Sequence, residues 1–105
     1  MARGIRWTIA AADELEAVVN YVALDAPSRA IAIAQAAMDR AMRIGDAPES
    51  GSIVPEFDDP TLREVLVKRS FRMLYRIKPD GCYVVAFLHH ARDIARLVQD
   101  REFDM

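Results

Sequence analysis

Five arginines and two histidines stand close together in the segment REVLVKRSFRMLYRIKPDGCYVVAFLHHAR, residues 63–92. They are Arg63, Arg69, Arg72, Arg76 and Arg92, with His89 and His90 closing the last apolar run. A guanidinium stays protonated and its planar fork fits phosphate or carboxylate, so these arginines bind negative charge rather than move protons. Imidazole titrates near neutrality, so His89 or His90 can serve as general acid or base. Cleavage of RNA by its own 2′-hydroxyl needs a proton acceptor, a proton donor and charge stabilisation on phosphate. The same residues also suit a docking surface for an anionic partner. A third reading is a strand face whose charges are matched within the chain, with the acidic stretch EFDD, residues 56–59, as the internal partner.

Strand rise places Arg72 and Arg76 on one strand face, about 13 Å apart. Adjacent strand residues face opposite ways, so at most one of His89 and His90 enters a given pocket. Cys82 is the sole thiol and there is no third histidine, so no metal site is expected. No Gly-rich phosphate loop, CxxC, HExxH or GxSxG occurs, and no cofactor is expected. Net charge is −2, but residues 63–78 set Arg63, Lys68, Arg69, Arg72, Arg76 and Lys78 against Glu64 alone. A local basic stripe on an acidic chain suggests one anionic partner at one place.

These residues need elements to position them. The 105 residues, 52% apolar and 29% charged, fit one soluble domain over 1–105. Cys82 lies in an apolar run and reads as a core thiol, so no disulfide framework is available. The N-terminus has no long apolar run and no 18-residue apolar stretch occurs, so no membrane is expected and a reducing cytoplasmic location is. Ile5 and Trp7 share a parity, which predicts a short half-buried strand. Thr8 offers an N-cap to a helix over 9–24 with Leu15, Val18, Val19 and Val22 at helical spacing. Pro27 opens a second helix, and Gly45 stands where a terminating glycine would. Two helices with so short a link predict an antiparallel hairpin. Residues 45–62 read as a connection, with a turn or short 3₁₀ piece near DDPTL.

REVLVK, FRMLYRI and CYVVAFLH then predict a three-stranded antiparallel meander, with a turn at KPDG. In FRMLYRI, Phe71, Met73, Tyr75 and Ile77 share one face, and Arg72, Leu74 and Arg76 the other. CYVVAFLH is apolar on both parities, as in a strand covered on both sides. ARDIARLVQ predicts a short C-terminal helix. The fold class is α+β: an N-terminal strand, an α-helical hairpin, a meander completing a small sheet, and that last helix.

This order of elements, with VPEFDDPTLREVLVKRSFRMLYRI and HHAR, resembles the RelE/ParE superfamily of bacterial toxin–antitoxin toxins. WTIAAADELEAVVNYVALDAPSRAI is similar to the family's opening strand and helix pair. The most specific parts are PE, RE and the aromatic–Arg–aliphatic–x–Tyr–Arg pattern of FRMLYRI. Ser52 departs from the arginine that the family usually carries after the loop glycine. The resemblance implies a type II toxin bound by a cognate antitoxin. RelE-like members cleave messenger RNA in the ribosome, whereas ParE-like members poison DNA gyrase.

The nuclease branch typically carries two basic residues spaced by two on the strand before FRMLYRI, an arginine behind the aromatic and one after the last strand, and often a C-terminal tyrosine. The resemblance puts these positions at Arg63, Val65, Arg72 and Arg92, and no tyrosine follows Tyr83. A gyrase-directed toxin is therefore expected. The rival is a ribosome-dependent endoribonuclease with Arg63, Arg72 and Arg92 on phosphate and His89 or His90 in proton transfer. A third reading is a decayed relative that keeps only antitoxin binding. The antitoxin is expected on an apolar second face of CYVVAFLH joined by Val65, Val67 and Leu74, with Arg72 and Arg76 meeting acidic side chains at its edge.

Overall fold

A computed structural model describes residues 5–91. The chain runs β1 (Ile5–Trp7), α1 (Ile9–Ala23), α2 (Pro27–Asp46), a 3₁₀ turn (Pro48–Ser50), β2 (Ser52–Ile53), β3 (Leu62–Val67), β4 (Phe71–Lys78) and β5 (Gly81–His89). Arg92 and the expected C-terminal helix lie outside the described residues.

Thr8 caps α1: its side-chain oxygen accepts from the Ala11 N–H at 3.1 Å, satisfying one of the donors a helix start leaves open. Pro27 sits in the first turn of α2, and the helix buries Ala30, Ile33, Ala37, Ala41 and Ile44 along one stripe. Gly45 does not end α2 as the sequence suggested. It is itself helical and buried, and the cap falls at Ala47, whose N–H bonds the Arg43 carbonyl. Pro48 follows, and the residue before a proline is steered away from helical geometry.

One sheet of five strands forms in the order β1-β5-β4-β3-β2. β1 runs parallel to β5, and the other neighbours are antiparallel. The connection 45–62 is more regular than expected, since it supplies β2 as a further antiparallel strand. Its 3₁₀ piece falls at Pro48–Ser50, and the turn expected near DDPTL forms at Pro60 and Thr61. There the Asp59 carboxylate accepts from the Thr61 N–H at 2.9 Å and hydroxyl at 2.8 Å, a turn built by a side chain.

The sheet has two buried faces. Under the helices lie Val65, Val67, Phe71, Met73, Tyr75, Cys82, Val84 and Phe87 with Ala11, Leu15, Ile33, Ala37, Ala41 and Ile44. Opposite them, Leu74, Val85, Ala86 and Leu88 pack with Val54 and Leu62, flanked by Phe57 and Tyr83. β5 reads as apolar on both parities partly because of a bulge. Leu74 pairs with Ala86 but Tyr75 with Val84, so Val85 and Ala86 both turn to the second face. Beyond the end of β1, the Phe87 N–H finds its acceptor in the Glu14 carboxylate of α1 at 3.1 Å.

Candidate functional site

Arg72 leaves β4 on the second face and meets two carboxylates. Its terminal nitrogens donate in parallel to the two Glu56 oxygens at 3.0 Å each, and Nε–H donates to Glu64 on β3. Its side chain is only 12% exposed. Hydrogen bonding to Glu56 first, and to Glu64 after it, raises the Arg72 pKa further above its ordinary value. The same bond from Arg72 holds Glu56 below the usual carboxylate range.

Two more arginines are taken up by the same loop. Arg76 donates to Asp59 Oδ2 and Thr61 Oγ1 at 2.8 Å each. Hydrogen bonds from Thr61, backbone first, hold Asp59 below its ordinary value, with Arg76 adding to them. Arg63 donates to the carbonyls of Pro60 at 3.0 Å and Gly51 at 2.9 Å. Tyr75 closes the other end: its hydroxyl donates to the Pro48 carbonyl and accepts from the Gly51 N–H at 3.0 Å. Burial raises the Tyr75 pKa, which keeps the hydroxyl a donor. Segment 48–62 is thus held down by Arg63, Arg72, Tyr75 and Arg76. Of the three uses first open for the arginine stripe, the internal pairing with EFDD is the one the geometry displays.

Alternation along β3 separates the expected site residues. Val65 and Val67 pack under the helices, 8% and 1% exposed, and Arg63 shares their parity. The β3 residues on the Arg72 face are Leu62, Glu64 and Leu66. Neither Arg63 nor Val65 shares the face of Arg72, and one of the three positions that do holds a carboxylate already paired to it. The expected docking group also divides. Val65 and Val67 are core residues of the helix side, and Leu74 is fully buried in the other cluster. All three are at most 8% exposed, although Val65 still borders the cleft that holds Arg72 and His90. Val65, Leu66 and Val67 are all apolar, so periodicity did not fix which parity faces the core.

β5 ends at His89, so strand alternation no longer separates the histidines, and their rings lie 4.6 Å apart. His89 packs edge-on against Phe71 at 5.9 Å, and its Nδ1 accepts from the Ala91 N–H at 3.2 Å. His90 lines an open cleft of about 420 Å³ with Arg72, Glu64, Leu66, Ser50, Ser52 and Arg40. Arg40 escaped the sequence reading. It stands on α2 just before the buried Ala41 and is itself half-buried at the wall of the cleft. Its Nε is buried and has no hydrogen-bond partner among the described residues. Among the described residues no cluster of three metal-ligating side chains occurs, and no helix is long and apolar enough to cross a membrane.

A helical hairpin on a five-stranded sheet, with a loop clamped over its arginine face, defines a small α+β fold. The family model "ParE toxin of type II toxin-antitoxin system, parDE" matches residues 5–94. The chain belongs to that family. Among solved structures it is similar to the "Chromosomal ParDE TA system from P. aeruginosa", at a TM-score of 0.70 and 19% identity, over 84% of this chain and 96% of that one. No curated protein matches the sequence.

Proposed function

We propose that this toxin inhibits DNA gyrase by binding, cuts no RNA, and is neutralised in the cytoplasm by an antitoxin from a neighbouring gene. One observation carries the reading: the guanidinium of Arg72 is already engaged by Glu56 and Glu64. A nuclease of this build needs that charge open to the scissile phosphate, with a proton acceptor beside it. Here a phosphate would have to displace a two-pronged carboxylate pair. His90 is the one imidazole on the cleft, and Glu64, its neighbour there, is bonded to Arg72.

The test pairs two assays on the purified chain. In a gyrase reaction on supercoiled plasmid, the expected result is inhibition with accumulated double-strand breaks. In a translating extract with message mapping, the expected result is intact message. Cuts placed by codon would overturn the reading, and silence in both assays would favour a decayed relative.

A further inference from the structure

We infer that the basic trough between α2 and the β3–β4 turn binds the phosphate backbone of duplex DNA, the substrate of the enzyme proposed above as target. This deepens the gyrase reading and rests on it for the source of the DNA. The contact itself is measured without gyrase.

Arg29, Arg40 and Arg43 fall on one side of α2. At 3.6 residues per turn they lie within about 60° of one another and span about 21 Å of helix. Lys68 faces this line across a depression that it shares with Arg40 and Arg43. A second depression joins Lys68 to Arg29, so the two run into one trough. Arg29, Arg43 and Lys68 are exposed, and Arg40 is half-buried. Among the described residues that line the two depressions, Asp39 is the one carboxylate. The ion pairs formed among the described residues use Arg6, Arg72 and Arg76, and none of these four cations.

The walls favour phosphate over a protein partner. Between the cations stand Ala32 and Ala36, which build no deep pocket for the anchoring side chain that dominates most protein interfaces. Phosphate contact needs no anchor, because Arg and Lys meet its oxygens and fix position without reading bases. The line of arginines matches about six nucleotide steps of one strand, at about 3.4 Å each. The whole chain carries a net charge of −2, so attraction is confined to this track and should be strongly salt-dependent.

Fluorescence anisotropy of a labelled duplex titrated with the full chain reads the contact directly. With about three phosphates neutralised, log K should fall against log[salt] with a slope of about −2.7, a loss of about 40-fold between about 50 and 200 mM salt. Arg43→Glu/Lys68→Glu should bind at least about tenfold more weakly with an unchanged melting temperature. Arg6→Glu/Lys78→Glu makes the same charge change beside Tyr83 and should stay within about threefold of the parent. Equal losses in the two double variants would overturn the inference, since net charge alone would then govern binding. Absence of binding at about 20 mM salt would overturn it too. Single-stranded RNA bound more tightly than the duplex would assign the trough to RNA, and polyglutamate competing as well as unlabelled duplex would assign it to a protein; either overturns it. All of these leave gyrase inhibition, read by plasmid linearisation, standing. A chain that binds duplex but never linearises plasmid with gyrase would sink the gyrase reading and keep the DNA contact.

Discussion

Glu56 and Arg72 meet through two parallel hydrogen bonds of 3.0 Å, and this contact joins the acidic loop to the central antiparallel strand. It ties down residues whose neighbours Val54 and Phe57 cover the second face of the sheet. The arginine that most resembles a catalytic group therefore serves first as a structural tether.

The pair has a defined pH signature. Because the folded-state pKa of Glu56 is depressed, its contribution is present above the unfolded value and is lost as pH falls through the folded one. Stability should decline as pH drops below about 4.3, the ordinary glutamate value. Urea midpoints taken from about pH 6 to about pH 3 should fall less steeply in Glu56→Gln than in the parent. Equal slopes would show that Glu56 is not held by Arg72 in solution.

Gly51 tests the other end of the tether. A Cβ there would stand 2.5 Å from the Tyr75 hydroxyl and 2.7 Å from the Glu64 carbonyl oxygen, part of the backbone. Gly51→Ala should cost about 1–3 kcal/mol, as overpacking typically does. Tyr75→Phe removes the hydroxyl that links Pro48 and Gly51 and should cost a comparable amount, about 1–3 kcal/mol. Denaturant unfolding of both variants checks the pair. A stability within about 0.5 kcal/mol of the parent in both would mean that this end is not held as described.

The β3–β4 turn stores strain. Lys68 and Arg69 both have positive φ, 54° and 62°, and the Ser70 N–H bonds the Val67 carbonyl across them. Two central residues of this conformation suit a tight hairpin, but side chains other than Asn, Asp or Gly disfavour it. Arg69→Gly should therefore stabilise the chain by up to about 1 kcal/mol, raising the melting temperature by several degrees. A lower melting temperature would show that the Arg69 side chain has a stabilising contact in solution.

Arg63 separates stability from activity. Among the described residues its bonds go to backbone carbonyls, so Arg63→Ala should loosen segment 48–62 and lower stability by about 1–3 kcal/mol. Growth inhibition per folded molecule should stay the same. A large loss of inhibition with an unchanged melting temperature would return Arg63 to the functional surface.

Much of this fold was legible in the sequence because its signals are local. Thr8 and Pro27 opened the helices as expected, and the two faces of β4 were divided correctly between Phe71, Met73, Tyr75, Ile77 and Arg72, Leu74, Arg76. The rest depends on long-range pairing. No local pattern marks Ser52–Ile53 as a strand, because its partner lies at Arg63 and Glu64. The bulge at Val85 is invisible in an apolar run. The acids and arginines were both read, but only the folded register brings Glu56 to Arg72 and Asp59 to Arg76. Arg40 gave no signal, since its place beside the cleft comes from how α2 crosses β3.

If the chain acts on gyrase as proposed, with Arg72 held by Glu56 and Glu64, the most direct measurement is gyrase-dependent linearisation of plasmid DNA by the purified chain, with Arg72→Met assayed alongside. The expected result is linear product that requires gyrase and persists in Arg72→Met in proportion to the folded fraction. Absence of gyrase-dependent breaks, with message cleavage that Arg72→Met abolishes, would contradict it.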